Sequence, residues 1–252
     1  MVTRVRLQPP TRAPSGDTYA YVVGDGALLV DPATESEELD DAIREAGTGH
    51  VAVTHNHRDH VGSVADYADR YDLTVWAHRG RERAFREATG VAPDRTYLPG
   101  ETLPGGVTVV DTAGHAPEHV AFVVADGWVT GDLAVAEGSV VVGAPHGDMR
   151  AYLSSLRRVH ARNPSRLYAA HGPVIEDARA TCERLIRHRL DRERRVLAAV
   201  RDGAETVDAI LESAYEKDLT GVEDLARATV QAHLEKLDVE GRLSWDGSRA
   251  TA

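Results

Sequence analysis

Three histidines and one aspartate fall within six residues of this chain, directly after a short run of apolar residues. The apolar run occupies positions 51–53, and the polar group consists of His55, His57, Asp59 and His60. Burying so many titratable side chains together costs several kcal/mol unless a partner satisfies them, and a divalent metal ion is the usual partner. The cluster therefore predicts a metal site where a buried strand ends.

Each of three further candidate ligands follows the end of a predicted strand. Apolar alternation and two Asp-Gly turns predict an α/β fold in which strands are interleaved with helices. The prediction places strands at 19–23, 27–31, 50–54, 73–77, 106–111, 119–125, 128–130 and 166–169, and helices at 35–46, 60–71, 80–89 and 149–161. The further ligands are His115, Asp132 and His171. Because residues at strand ends are held by the rigid sheet, we expect all the ligands on one rim.

The ligand types indicate two metal ions. Zinc prefers imidazole nitrogen and carboxylate oxygen, and manganese and iron accept the same donors, so we expect two divalent ions with Zn²⁺ as the first choice. The predicted ligand sets are His55, His57 and His115 for the first ion, Asp59, His60 and His171 for the second, and Asp132 as a bridge. Two ions about 3.5–4 Å apart can share a hydroxide that is nucleophilic at neutral pH, which predicts hydrolysis.

The ordered motifs His-X-His-X-Asp-His, Gly-His, Gly-Asp and a final histidine resemble the metallo-β-lactamase superfamily. The resemblance covers roughly residues 5–177 and implies an αββα sandwich with the metals at one edge of its two sheets. It also implies that Asp59 is catalytic, orienting the hydroxide or accepting its proton. Asp31 matches a family aspartate that supports the site from behind, although Ala33 replaces the usual glycine after it.

Two other histidines are candidates for supporting roles. His119 opens a strand close to His115, and we expect it to hydrogen-bond behind the metal ligands rather than to bind metal. His146 lies on the connection between Asp132 and His171, where it is a candidate for substrate binding. An exposed loop histidine is the plainer interpretation of His146.

The sequence pattern changes near position 177, which predicts a catalytic domain over 1–177 and a second unit over 178–252. The second unit is predicted to contain helices at 178–201, from 207 after the cap residue Thr206, and at 222–238, then a strand at 241–245. This order resembles a small winged-helix domain, which can bind nucleic acid, act as a lid or form a dimer surface, so a homodimer is compatible with it. Acidic residues are interspersed among the arginines of the first helix, which predicts a salt-bridged, solvated face.

The substrate stays open between two classes. The segments around His171-Gly172-Pro173, His188-Arg189 and 232–242 are similar to the small beta-lactamase-like proteins with a winged-helix tail. One animal branch of these cuts single-stranded RNA, which favours a phosphodiester. The alternative is a thioester or another small-molecule ester, as in glyoxalase II, which shares the seven ligands but normally carries a different helical tail.

Two further alternatives use the site differently. A one-iron persulfide dioxygenase would need only the first histidine triad, and the presence of His60 and His171 argues against it. A non-catalytic winged-helix binding protein would carry a vestigial metal site, and His57→Ala would then leave its biological activity intact.

Composition indicates a soluble protein of the cytoplasm. Cys182 is the only cysteine of the 252 residues, so no intrachain disulfide is expected. No stretch approaches the roughly 18 apolar residues of a membrane-spanning helix. The first 16 residues contain no apolar core, so we expect neither a membrane contact nor a signal peptide. The net charge of −11 does not by itself exclude an anionic substrate, because salt screens long-range repulsion.

Overall fold

The computed structural model describes residues 2–215 and 219–252. Its strands are β1 (Thr3–Leu7), β2 (Thr18–Val23), β3 (Leu28–Val30), β4 (His50–Ala52), β5 (Thr74–His78), β6 (Arg95–Tyr97), β7 (Thr102–Leu103), β8 (Val107–Asp111), β9 (Val120–Val124), β10 (Gly127–Gly131), β11 (Leu167–Ala169), β12 (Ser244–Trp245) and β13 (Ala250–Thr251). Its helices are α1 (Glu37–Ala46), α2 (Arg58–Val61), α3 (Val64–Tyr71), α4 (Glu82–Thr89), α5 (Met149–Arg162), α6 (Ala178–Arg201), α7 (Val207–Ala214) and α8 (Glu223–Val239).

The strands form two large sheets and a small C-terminal hairpin. The first sheet has the order β1-β2-β3-β4-β5-β6, antiparallel up to β3 and parallel from β3 onward. The second sheet has the order β11-β10-β9-β8-β7 and is antiparallel except between β10 and β11. The hairpin consists of β12 and β13.

The predicted αββα sandwich is confirmed by the three hydrophobic clusters around the sheets. Between the sheets, Tyr21 and Val30 of the first pack with Phe122 and Val129 of the second. The outer face of the first sheet is covered by α1, α3 and α4, and the outer face of the second by α5 and α6. Burial on both faces explains why the central strands read as continuous apolar runs.

The predicted helix at 60–71 is confirmed over most of its length but is interrupted at residues 62–63, so the structure has two helices, α2 and α3. Gly62 lies at the break, where a Cβ atom would come within 2.3 Å of the Ala33 carbonyl oxygen. The next residue, Ser63, donates its backbone N–H to the Pro32 carbonyl at 3.0 Å. A hydrogen bond thus connects the chain after the histidine cluster to the loop that follows β3.

The C-terminal helices surround a separate hydrophobic cluster. Cys182 and Leu185, in the first half of α6, pack with the second sheet, whereas Val196 and Val200 in its second half pack with α7 and α8. The helix order matches the prediction, and Thr206 caps α7 as expected. The winged-helix assignment and the division at 177 stay predictions. In the described ranges, no helix is long and apolar enough to cross a membrane.

The predicted solvated face of α6 is only partly correct. Arg194 does form an exposed ion pair with Asp191. Arg189 and Arg192, however, are buried, and each donates to a backbone carbonyl, as Arg184 also does. The reason is that α6 packs against segments whose carbonyl groups lack partners in regular secondary structure.

Candidate metal centre

The first three predicted ligands converge where β4 and β8 end. His55 and His57 lie three and five residues after β4, and His115 lies four residues after β8. The Nε2 atom of His55 is 3.0 Å from Nδ1 of His57, and Nε2 of His115 is 2.8 Å from that same atom. Three imidazole nitrogens therefore point at one small volume, as the predicted first ion requires.

The remaining predicted ligands form an adjoining group. Asp59, His60 and His171 bring one donor atom each within 4.8 Å of one another, and so do His55, His60 and Asp132. The Asp132 carboxylate lies between the two groups: its Oδ2 is 3.5 Å from Nε2 of His115 and its Oδ1 is 3.2 Å from Nε2 of His171. The structure thus brings all seven predicted ligands together, with Asp132 between the two sets.

Hydrogen bonds behind the ligands orient the imidazole rings. The outer Nδ1 atom of His115 donates to the Val141 carbonyl at 2.6 Å, and that of His171 to the Asp17 carbonyl at 2.6 Å. Because a carbonyl only accepts, each ring carries its proton on Nδ1 and directs the lone pair of Nε2 into the site. This is the tautomer that a metal ligand needs.

Asp31 lies behind the site, as predicted. Its Oδ1 accepts from the Thr54 backbone N–H at 2.7 Å, and its Oδ2 accepts from the Thr54 hydroxyl at 2.7 Å. The Thr54 hydroxyl then accepts from Nδ1 of His55 at 3.1 Å, and Oδ2 of Asp31 also accepts from Nδ1 of His60 at 3.0 Å. One buried carboxylate therefore orients a histidine of each set.

His119 also takes a supporting position. Its Nε2 accepts the backbone N–H of Asp132 at 3.2 Å, and its Nδ1 is 2.8 Å from the Thr112 hydroxyl. Burial, followed by the nearby His115, lowers the pKa of His119 to about 3, so the ring is neutral and can accept. Both ring nitrogens are occupied, which fits the predicted role behind the ligands.

The electrostatics of the site favour bound cations. Burial alone would lower the pKa of His60, but the carboxylates of Asp132 and Asp31 outweigh it and raise the pKa to about 9. Burial likewise opposes the charged form of Asp132, yet His60 and the other histidines hold its pKa well below the usual range. Burial and then His115 lower the pKa of His57 to about 4, which keeps its lone pair free at neutral pH.

Two buried polar atoms at the centre of the cluster test whether metal ions fit. Within the described ranges, Nε2 of His60 and Oδ1 of Asp132 are buried and have no hydrogen-bond partner. They lie 3.6 Å apart, too far for a hydrogen bond. A buried polar atom without a partner costs about 1–3 kcal/mol, and a divalent ion that displaced the Nε2 proton of His60 would satisfy both atoms at once. The donor set therefore fits two metal ions.

A cavity of about 810 Å³ opens onto the cluster. Its floor contains His57, Asp59, His115, Asp132 and His171. Its walls come from the N-terminal segment 10–15, the loop 135–141, the segment 171–173 and Leu225 of α8. The cavity is wide enough for a small-molecule substrate, since ligand pockets commonly measure about 300–1,000 Å³.

His146, the candidate for substrate binding, lies elsewhere. It is exposed on the connection before α5 and is not among the residues that line the cavity. Sequence reasoning in turn missed Thr11, whose hydroxyl donates to Oδ2 of Asp59, and Thr54. Thr54 directly precedes His55, but nothing in its residue type distinguishes it from a core threonine.

Comparisons with known proteins agree with this geometry. A family model described as "Metallo-beta-lactamase superfamily" matches residues 13–171. A "Beta-lactamase-like protein 2 homolog" of Drosophila melanogaster is 28% identical, over 90% of this chain and 84% of that protein. An atrochrysone carboxyl ACP thioesterase of Aspergillus novofumigatus is 30% identical, over 81% of this chain and 64% of that protein. A solved metallo-beta-lactamase family protein of Thermus thermophilus has a TM-score of 0.76 at 25% identity, with 98% of each chain covered.

Proposed function

The chain belongs to the metallo-β-lactamase superfamily and is a metal-dependent hydrolase, and we propose that it cleaves small-molecule thioesters or esters with two metal ions. The observation that carries this proposal is the cavity of about 810 Å³ over the ligand cluster. Away from the cluster its walls are largely apolar, with Ala13, Val135, Val140 and Leu225 among them. Such walls suit the hydrocarbon part of an acyl group.

The seven clustered residues would hold the metal ions in the predicted arrangement. His55, His57 and His115 form one set, Asp59, His60 and His171 the other, and Asp132 reaches both. Two divalent ions, with zinc expected from the histidine-rich donor set, would supply a strong nucleophile and Lewis acidity at neutral pH.

We assign the proton transfer to Asp59. It lines the cavity floor, and the hydroxyl of Thr11 donates to its Oδ2. His171 Nε2 lies 3.9 Å from the same oxygen. A carboxylate held in one orientation can orient the attacking nucleophile and take its proton, which is the role of a general base.

The C-terminal sequence pattern favours RNA as the substrate, but the cavity supports a thioester instead. Proteins that bind single-stranded RNA combine a cationic groove with aromatic side chains on which the bases stack. None of the described residues that line the cavity is Phe, Tyr or Trp. Of its two arginines, Arg12 is paired with Asp224, and Glu137 adds an acidic group to the wall. The similarity to a protein named as a thioesterase supports the same class.

The test is hydrolysis of three probes by the purified protein: a decanoyl thioester of N-acetylcysteamine, p-nitrophenyl butyrate and a labelled single-stranded RNA. We expect cleavage of the thioester and the ester, loss of both activities after chelation, and recovery when zinc is added. Cleavage of the RNA alone would overturn the substrate class and restore the phosphodiester hypothesis.

We also infer a cytoplasmic location, which the single buried cysteine, Cys182, supports.

A further inference from the structure

One wall of the cavity depends on the C-terminal helices for its shape. The loop 135–141 has no strand partner among the described residues, so its carbonyl groups need donors from elsewhere. Arg184 of α6 supplies them to Gly138 at 2.6 Å, Val135 at 2.7 Å and Ala136 at 3.0 Å. Arg189, further along α6, donates to the Val140 carbonyl. Two arginines therefore satisfy most of the carbonyl groups of this wall.

The same loop is connected to a metal ligand and to α8. The Val141 carbonyl accepts the hydrogen bond from Nδ1 of His115. Three residues later, the Ala144 N–H donates to the Ala228 carbonyl of α8 at 3.0 Å. The wall thus lies between the predicted first metal set on one side and the C-terminal helices on the other.

The first turn of α8 reaches the cavity directly. Leu225 is half-buried and lines the cavity, where it adds an apolar surface from the C-terminal region. The neighbouring Asp224 receives two hydrogen bonds from Arg12, at 2.6 and 2.9 Å, and Arg12 also donates to the Gly221 carbonyl at 3.0 Å. Segment 10–15, which also lines the cavity, is therefore hydrogen-bonded through Arg12 to the start of the same helix.

We propose that Leu225 determines the length of the acyl group that the site accepts, and that Arg184 is the positioning residue that holds the wall formed by the loop 135–141. This inference rests on the proposed hydrolysis of thioesters and esters. A larger side chain at 225 shortens the apolar part of the cavity, so long acyl groups lose contacts that short ones never make. One methylene more or less in an apolar pocket changes kcat/KM by about 10–200-fold, so a bulky substitution has a measurable effect.

A purely structural role for these residues predicts a different result. If Arg184 only stabilised the fold, its removal would lower the melting temperature and reduce activity on all esters alike. If it holds a wall that contacts the acyl group, its removal changes the preference between short and long esters. The ratio of kcat/KM values therefore separates the two roles, because a uniform loss of active protein cancels in it.

The experiment measures kcat/KM for p-nitrophenyl acetate, butyrate, octanoate and decanoate with the full chain loaded with zinc. For Leu225→Trp we expect the decanoate-to-acetate ratio to fall at least about tenfold, mainly through KM. For Arg184→Ala we expect a fall of several-fold, with partial recovery in Arg184→Lys. The matched controls are Val239→Trp, which places the same side chain at an exposed position of α8, and Arg187→Ala, an exposed arginine of α6. Both controls are expected to keep the wild-type ratio.

The outcomes separate the inference from the function on which it rests. If the wild-type protein hydrolyses none of the esters and no thioester, both the proposed function and the inference fall. If the wild type is active and Leu225→Trp keeps the wild-type ratio, the inference alone is overturned. A lower ratio in Leu225→Trp with an unchanged ratio in Val239→Trp supports it.

Discussion

Asp31 accepts a hydrogen bond from His60, with 3.0 Å between its Oδ2 and the ring Nδ1, and both side chains are fully buried. The backbone of Asp31 is in the left-handed region at φ 54°, a conformation that aspartate and asparagine tolerate better than most residues. The conformation directs its carboxylate toward both Thr54 and His60. A residue that binds no metal thus fixes the orientation of the ligands.

The first prediction concerns the substitution Asp31→Asn, which keeps the size of the side chain and the backbone preference. The amide can no longer accept from the Thr54 groups and His60 together, so one ring loses its orientation. We expect the affinity for the second zinc ion to fall about 10–100-fold, measured by competition with a chromogenic chelator. Asp25→Asn, at another left-handed aspartate in an exposed turn, is the control. Equal zinc affinity in both variants would refute the role of Asp31.

The second prediction compares two histidines. His57 lies on the cavity floor and is exposed to it, so His57→Ala should remove a ligand without unfolding the protein. We expect its esterase activity to fall to that of chelator-treated wild type, with little change in melting temperature. His146→Ala should keep wild-type kinetics, because His146 does not line the cavity. A kinetic loss in His146→Ala equal to that in His57→Ala would show that the cavity is not the substrate site.

The third prediction concerns Gly114, which directly precedes His115. Its φ is +142°, and a Cβ atom there would lie 2.3 Å from the backbone of Tyr152 in α5. Gly114→Ala must therefore displace either the ligand loop or the helix, at a cost of about 1–3 kcal/mol in the free energy of unfolding. Urea denaturation measures this cost. Gly49→Ala, where no atom lies within 4 Å of the added Cβ, is the control and should unfold close to wild type.

The fourth prediction is a pH dependence that originates in the C-terminal helices. His233 is fully buried, and burial, followed by the positive charges of Arg189, Lys236 and Arg192, holds its pKa well below the usual value. The nearby carboxylate of Glu193, with its Oε2 4.0 Å from Nδ1, is already paired with Lys236 and Arg242 and does not offset this effect. In the folded state His233 therefore stays neutral at pH values below about 6.5, where the same side chain binds a proton in the unfolded state.

Because the unfolded state binds one proton more, acid favours unfolding. Above about pH 6.5 the buried neutral His233 costs no stability, and below that pH the free energy of unfolding falls by up to about 1.4 kcal/mol per pH unit. Relative to wild type, His233→Leu should be more stable at pH 5 than at pH 7.5, by up to about 2 kcal/mol, measured by urea unfolding at both values. Parallel pH curves for wild type and His233→Leu would exclude this role.

The sequence predicts the ligands well because they lie in short motifs at strand ends. Strands at 119–125 and 128–130 predict β9 and β10 closely, since an Asp-Gly turn sets the hairpin. β6 and β7 are missed because they have three and two residues and little apolar alternation. The break at Gly62 is not predicted, because the close approach that requires glycine there is to the Ala33 carbonyl, 29 residues earlier in the chain.

The cavity walls are harder to predict than the metal cluster, because they also depend on contacts between segments that are distant in sequence. Arg184 and Leu225 belong to helices whose pattern indicates only that they are amphipathic. Their contacts with the loop 135–141 and with the cavity depend on how those helices pack against the sandwich. Long-range packing of this kind leaves no local signal in the sequence.

The most direct test is metal content measured on the same sample as activity. Mass spectrometry of the native protein, alongside hydrolysis of the decanoyl thioester, should give two divalent ions per chain at full activity. His60→Ala should lose the second ion and most of the activity together, because the unpartnered Nε2 of His60 faces Asp132 at the centre of the cluster. A fully active protein with one iron ion, or with no metal, would contradict the two-metal hydrolase.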